Sequence, residues 1–175
     1  MTNDGHDTIR RDKGSPIRVM FLVGSLSTGG AERFVANVAS NLDREKFQPY
    51  IALYRRDISY TVPDDVPIKV LGKFKPWHNI PAVFRLAQWI DEVRPDILLS
   101  AWSVPNVFAS EALRWTRHKP FWIARIANDP EAREKALYGA WARAGYRRAD
   151  AFIAVCEGLG HAFAAKYPFA LGRIH

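Results

Sequence analysis

Gly24, Gly29 and Gly30 punctuate a run of small residues, Gly24-Ser25-Leu26-Ser27-Thr28-Gly29-Gly30, between an apolar segment and the acidic–basic pair Glu32-Arg33. A strand feeding a glycine turn and a helix start leaves backbone N–H groups pointing out of the first helical turn. The helix dipole adds partial positive charge there. Glycine carries no Cβ, so a phosphate or a sugar can approach this backbone closely. The same spacing also suits an ordinary tight strand-to-helix turn, and it leaves both readings open.

Two better-known glycine loops do not fit. A dinucleotide fingerprint needs G-x-G-x-x-G, but Ser25-Leu26-Ser27 follow Gly24. A phosphate loop needs G-x-x-x-x-G-K-[ST]. Gly24 and Gly29 have that spacing, yet Gly30 and Ala31 stand where the lysine and hydroxyl would be. Without those groups, nucleoside triphosphate hydrolysis has no chemistry to run on.

Other residues could serve a site. Arg125 and Asn128 fall at the end of a later apolar run. There a polar pair could hydrogen-bond sugar hydroxyls or phosphate, or cap the helix that Asp129 begins. Glu32 and Arg33 could orient the glycine loop or touch a ligand, or be solvated helix charge. Lys73, Lys75 and Trp77, in the segment Lys73-Phe74-Lys75-Pro76-Trp77-His78, interleave cations with rings. That pattern suits an anionic membrane interface or a plain exposed loop. Cys156 is expected to be buried or at a cap rather than a nucleophile, and Glu157 to complement a helix start.

These positions need a scaffold. Residues 17–23, 48–54, 66–71, 96–100, 120–126 and 150–155 read as strands, the first a near-continuous apolar run suited to a parallel strand covered on both faces. Residues 31–42, 80–93, 105–116 and 157–166 read as helices, with a further long helix from Asp129. Arg94-Pro95 ends one helix, and Gly172-Arg173-Ile174-His175 looks like the start of another strand. The order β-α-β-β-α-β-α-β-α-β-α calls for an α/β fold: a Rossmann-like, doubly wound, mostly parallel sheet flanked by helices. Ligands of such sheets sit beyond the carboxyl ends of the strands, where the Gly29 turn, Arg125 and Asn128 gather.

The chain has 175 residues, enough for one α/β domain with a real core. No apolar run approaches the roughly 18 residues needed to span a bilayer. Residues 1–16 are polar, lack the apolar stretch of a signal peptide, and read as a disordered lead-in to a domain over 17–175. The one cysteine permits no internal disulfide and no multi-thiolate zinc site, which fits a reducing cytoplasm and no metal. The net charge of +7 suits an anionic partner. Its arginines and lysines are dispersed, and no recognition-helix or aromatic–basic strand motif points to nucleic acid.

Together these residues resemble the amino-terminal domain of the retaining GT-B glycosyltransferases of family 4. The resemblance rests on Gly29-Gly30-Ala31-Glu32-Arg33 after the first strand and Arg94-Pro95-Asp96-Ile97-Leu98 before the central one. It continues through Arg125, Asn128 and Asp129-Pro130, then Tyr146-Arg147-Arg148-Ala149-Asp150-Ala151 and Ala154-Val155-Cys156-Glu157-Gly158. It implies a first domain that binds mainly the acceptor and brings its glycine turn to the donor phosphates. A second domain would hold most of the nucleotide sugar and carry a Glu-x7-Glu motif. No such glutamate pair occurs here, so the expectation is half of an enzyme, with the donor-binding domain absent or separate.

The resemblance thus implies a hexosyltransferase, with a nucleotide-diphosphate sugar as co-substrate and no other cofactor. A polysaccharide or lipid-linked acceptor follows, as does a cytoplasmic position peripheral to the membrane. Gly29 and Gly30 would hold a diphosphate oxygen. Many relatives carry Arg-x-His-Asn after the fifth strand, but this chain has Arg125-Ile126-Ala127-Asn128, with Ala127 in place of that histidine. No catalytic residue is assigned. The alternative is a non-catalytic module of the same fold that binds a glycan, a phospholipid or a protein.

Overall fold

The computed structural model describes residues 14–72, 79–127 and 143–175. Six strands form a single sheet: β1 (Ile17–Val23), β2 (Phe47–Leu53), β3 (Ile68–Val70), β4 (Ile97–Ser100), β5 (Phe121–Ile126) and β6 (Ala151–Ala154). Their spatial order is β3-β2-β1-β4-β5-β6 and every pairing is parallel. The sheet is therefore doubly wound, and it is wholly rather than mostly parallel.

Four helices are described: α1 (Gly30–Asn41), α2 (Asn79–Val93), α3 (Ser103–Trp115) and α4 (Glu157–Lys166). Alternation along β1 divides the core. Val19, Phe21 and Val23 pack with Val35 and Ala39 of α1, while Met20 and Leu22 face the opposite side. There Leu86 and Ile90 of α2, Phe108 and Ala112 of α3, and Phe163 of α4 close over Trp122 and Phe152. A parallel strand must be apolar on both faces, and β1 is.

Two aspartates set the strand entries. Asp96, just before β4, accepts the Arg18 N–H of β1 at 2.8 Å. Asp150, just before β6, accepts the Trp122 N–H of β5 at 2.7 Å. Each aspartate satisfies an amide at the start of its neighbour strand and so fixes the register. Arg94 ends α2 in the left-handed region, with φ of 50°, and Pro95 then prevents the helix from continuing. The Arg94-Pro95-Asp96 sequence is thus structural.

The start of one helix and the length of one strand differ from expectation. Helix α3 starts at Ser103, so Pro105 lies in its first turn, where the missing N–H breaks no intrahelical bond. Strand β3 shrinks to three residues because the Val66 N–H turns back to Pro63 O. The final residues do add to the sheet: Ile174 bridges Phe152 in parallel, and the His175 N–H donates to Phe152 O at 2.9 Å. The helix expected from Asp129 falls mostly outside the described residues.

Candidate functional site

The spatial neighbours β1 and β4 lead in opposite directions across the sheet, β1 towards β2 and β4 towards β5. Their carboxyl ends therefore border a crevice, the place where open α/β sheets take ligands. Gly30, Ala31, Glu32, Trp102, Arg125, Ala127 and Val155 line it. It encloses about 450 Å³, within the range of small-ligand sites.

Helices α1, α3 and α4 all begin near this rim, after Gly29, Trp102 and Cys156, and none has a side-chain capping bond. Their free N–H groups and aligned dipoles favour anions or hydroxyl oxygens. Cys156 was expected to be buried or to cap; it is exposed, at the cap position but without a capping bond. Glu157 lies in the first turn of α4, where the dipole favours it.

Gly29 is extended, with φ of −166° and ψ of 160°, a conformation open to any residue. A Cβ built on Gly30 meets nothing within 4 Å. One built on Gly29 would run first into the Glu32 carboxylate, the far end of a flexible side chain. Neither backbone strain nor packing against the core requires glycine at these positions. What the pair provides is open space above a helix N-terminus, bordered by the carboxylate of the helix's own third residue.

Arg125 leaves the end of β5 and reaches over the crevice. Its Nη1 donates to Ala101 O at 3.1 Å, and its guanidinium carbon lies 4.6 Å from the Phe34 ring centroid. Burial pushes the guanidinium down from its ordinary value, and the charge of Glu32 partly offsets this. Arginine is so basic that it stays cationic. The site thus holds one fixed cation and one carboxylate, both partly buried.

Beneath it runs a buried polar chain. Trp122 Nε1 donates to Ser100 Oγ at 2.8 Å, and Ser100 Oγ donates to Asn106 Oδ1 at 2.5 Å. Asn106 Nδ2 then donates to the Arg125 carbonyl at 3.2 Å. This chain ties β4, α3 and β5 together under the backbone of Arg125, and such fully bonded networks are rigid.

Of the residues singled out by sequence, Gly30, Glu32 and Arg125 line the crevice and Gly29 adjoins it. Arg33 is exposed on α1 and does not line it. Asn128, Lys73, Lys75 and Trp77 lie outside the described residues. Ala127, at the position of the family's histidine, does line the crevice. Trp102 escaped sequence reading. It stood in a loop with no motif around it, and its partner Gly24 is distant in the chain. No group of three or more metal-ligating side chains occurs among the described residues.

A family model described as Glycosyltransferase Family 4 matches residues 28–175. No curated protein matches the sequence. Among solved structures, the lipopolysaccharide outer core galactosyltransferase WaaB in its apo form is similar, with a TM-score of 0.67 at 14% identity over 91% of this chain. Anabaena Alr3699/HepE in complex with UDP and glucose gives 0.68 at 16% over 91%. Sucrose-phosphate synthase from Thermosynechococcus elongatus gives 0.70 at 12% over 91%. This chain spans 44%, 43% and 47% of those three chains. A UDP-N-acetylglucosamine 2-epimerase shares the fold too, with a TM-score of 0.63 at 15% identity, so architecture alone does not choose the reaction. The sequence match shows the family: the chain belongs to glycosyltransferase family 4.

Proposed function

We propose that this chain is the acceptor-side half of a hexosyltransferase. It would act with a nucleotide-diphosphate-binding half to move a sugar onto a polysaccharide or lipid-linked acceptor, with retention at the anomeric carbon. The observation that carries the reading is the crevice at the β1–β4 switch point, where the open Gly29-Gly30 corner, Glu32 and Arg125 meet at a helix N-terminus. Backbone amides there suit the charge that builds on a departing diphosphate, the logic of any preorganised anion hole. Glu32 and Arg125 offer the acceptor and donor groups that sugar hydroxyls need. The co-substrate is a nucleotide-diphosphate sugar, and no other cofactor is proposed.

The need for a second half is supported by the spans of 43–47% quoted above. We place the protein at the cytoplasmic face of a membrane as a peripheral component. Its charge of +7 and the exposed Ile80, Phe84 and Trp115 on α2 and α3 support that placement. Among the described residues, no helix is long and apolar enough to cross a membrane.

The test supplies radiolabelled UDP-glucose, UDP-galactose or GDP-mannose and a membrane extract as acceptor source. The chain is assayed alone and together with a donor-binding half encoded next to it. Label should enter an extractable glycan or glycolipid only with both halves. Turnover by the lone chain overturns the claim of incompleteness. No transfer by the pair overturns the reading itself.

A further inference from the structure

Trp102 sits at the hinge of the crevice. It follows β4, caps α3 in extended backbone, and lines the cleft with Glu32 and Arg125. The Nε1–Cζ2 edge of its indole rests on Gly24, whose built Cβ would stand 3.4 Å from Cζ2 and 3.9 Å from Nε1. Among the described residues, Nε1 is buried and has no hydrogen-bond partner.

That orphan donor is informative. A buried N–H without an acceptor is destabilising, whereas phenylalanine would fill much of the same space with no polar group to satisfy. Stability alone therefore gives no reason for an indole here. A carbohydrate ring gives one: its C–H face packs on an aromatic plane, and its ring and hydroxyl oxygens accept from an indole N–H. The neighbours complete the pattern, because hydroxyl groups both donate and accept. Glu32 can take hydroxyl hydrogens, and Arg125 can give N–H bonds beyond the one it spends on Ala101.

We propose that Trp102 is the stacking wall and hydrogen-bond donor of a neutral hexopyranose subsite for the acceptor, completed by Glu32 and Arg125. Sugar entry turns the indole off Gly24, so that Nε1 reaches an acceptor oxygen and the ring plane covers the sugar. This deepens the glycosyltransferase reading and rests on it for the identity of the sugar as acceptor.

The experiment uses the 175-residue chain with Trp102→Phe and Trp102→Ala. Binding of methyl α-glucopyranoside and methyl α-galactopyranoside is followed by saturation-transfer NMR, with UDP as a separate ligand and thermal melts alongside. At least one glycoside should bind wild type. Trp102→Phe should melt no lower than wild type yet bind that glycoside about three-fold more weakly, and Trp102→Ala about ten-fold more weakly. UDP should be unaffected by either change.

Equal glycoside binding by all three proteins, or none by wild type, overturns the proposal. So does a Trp102→Phe loss that falls on UDP instead. The two readings fail separately. If glycoside binding depends on Trp102 but the paired halves transfer nothing, the subsite stands and the enzyme reading falls. If transfer occurs and its acceptor KM ignores Trp102, the reverse holds.

Discussion

The Arg125 guanidinium stacks on Phe34 with its carbon 4.6 Å from the ring centroid. One side chain at the end of β5 thereby clasps the first turns of α1, while its Nη1 holds the Ala101 carbonyl at the end of β4. Three elements that converge on the crevice are joined by a single planar cation. Lysine cannot copy this, because an ammonium has neither the flat face to stack nor the fork to bond sideways at the same time.

Arg125→Lys should therefore keep the charge but loosen the rim. Losing one charged hydrogen bond and one partly buried cation–π contact should cost about 1–2 kcal/mol. That corresponds to roughly 2–8 °C of melting temperature in a domain of this size. On the proposed function, transfer by the paired halves should fall by a larger factor than stability explains, since Arg125 also lines the crevice. A lysine variant with unchanged melting and unchanged transfer would show that the clasp has no role.

Gly30→Ala separates space from stability. A methyl group there touches nothing within 4 Å, and alanine suits a helix better than glycine by about 0.5–1 kcal/mol. The variant should melt as high as wild type or slightly higher. On the proposed function it should nevertheless lose most transfer activity, because the methyl projects into the open corner assigned there to the diphosphate. Full activity in a stabilised Gly30→Ala protein would return the glycine pair to an ordinary turn.

Most of the scaffold could be read from the chain because each element carries its own local signal. Ile17–Val23 is continuously apolar, and Glu157–Lys166 has a charge at each end that suits a helix. The crevice was legible only in part. Gly29, Gly30, Glu32 and Arg125 stand at turns and strand ends, which topology sends to one rim. Trp102 was invisible because its meaning depends on Gly24, a residue brought beside it only by pairing of β1 with β4. Asp96 and Asp150 looked like family marks, but their bonds to the Arg18 and Trp122 amides show them fixing register.

Asn106, in the first turns of α3, sits at the centre of the buried polar chain. Asn106→Ala removes a donor and an acceptor together. It leaves the Ser100 hydroxyl without its acceptor and the Arg125 carbonyl without its donor. Stranding buried polar groups in this way should cost about 2–4 kcal/mol, measured by urea unfolding with an unchanged m-value. A loss below about 0.5 kcal/mol would mean that water replaces the amide without cost.

Asp91, near the end of α2, accepts the Arg117 and His118 N–H groups at 2.9 Å, holding the turn after α3. Burial works to raise its pKa, but those two backbone donors, helped by the Arg117 and His118 charges, outweigh it and hold the carboxyl below its ordinary value of 3.8. A carboxylate depressed in the folded state binds protons more weakly there than in the unfolded chain. Its stabilisation is complete above the unfolded value and disappears as pH falls through the folded one. Asp91→Asn keeps the shape but loses the charge and should lower stability by about 1 kcal/mol at pH 7. Thermal melts of both proteins at pH 7, 5 and 3 should show the gap constant between the first two and narrowing at the third. A gap that persists undiminished at pH 3 would mean that the carboxylate's charge is not what separates the two proteins.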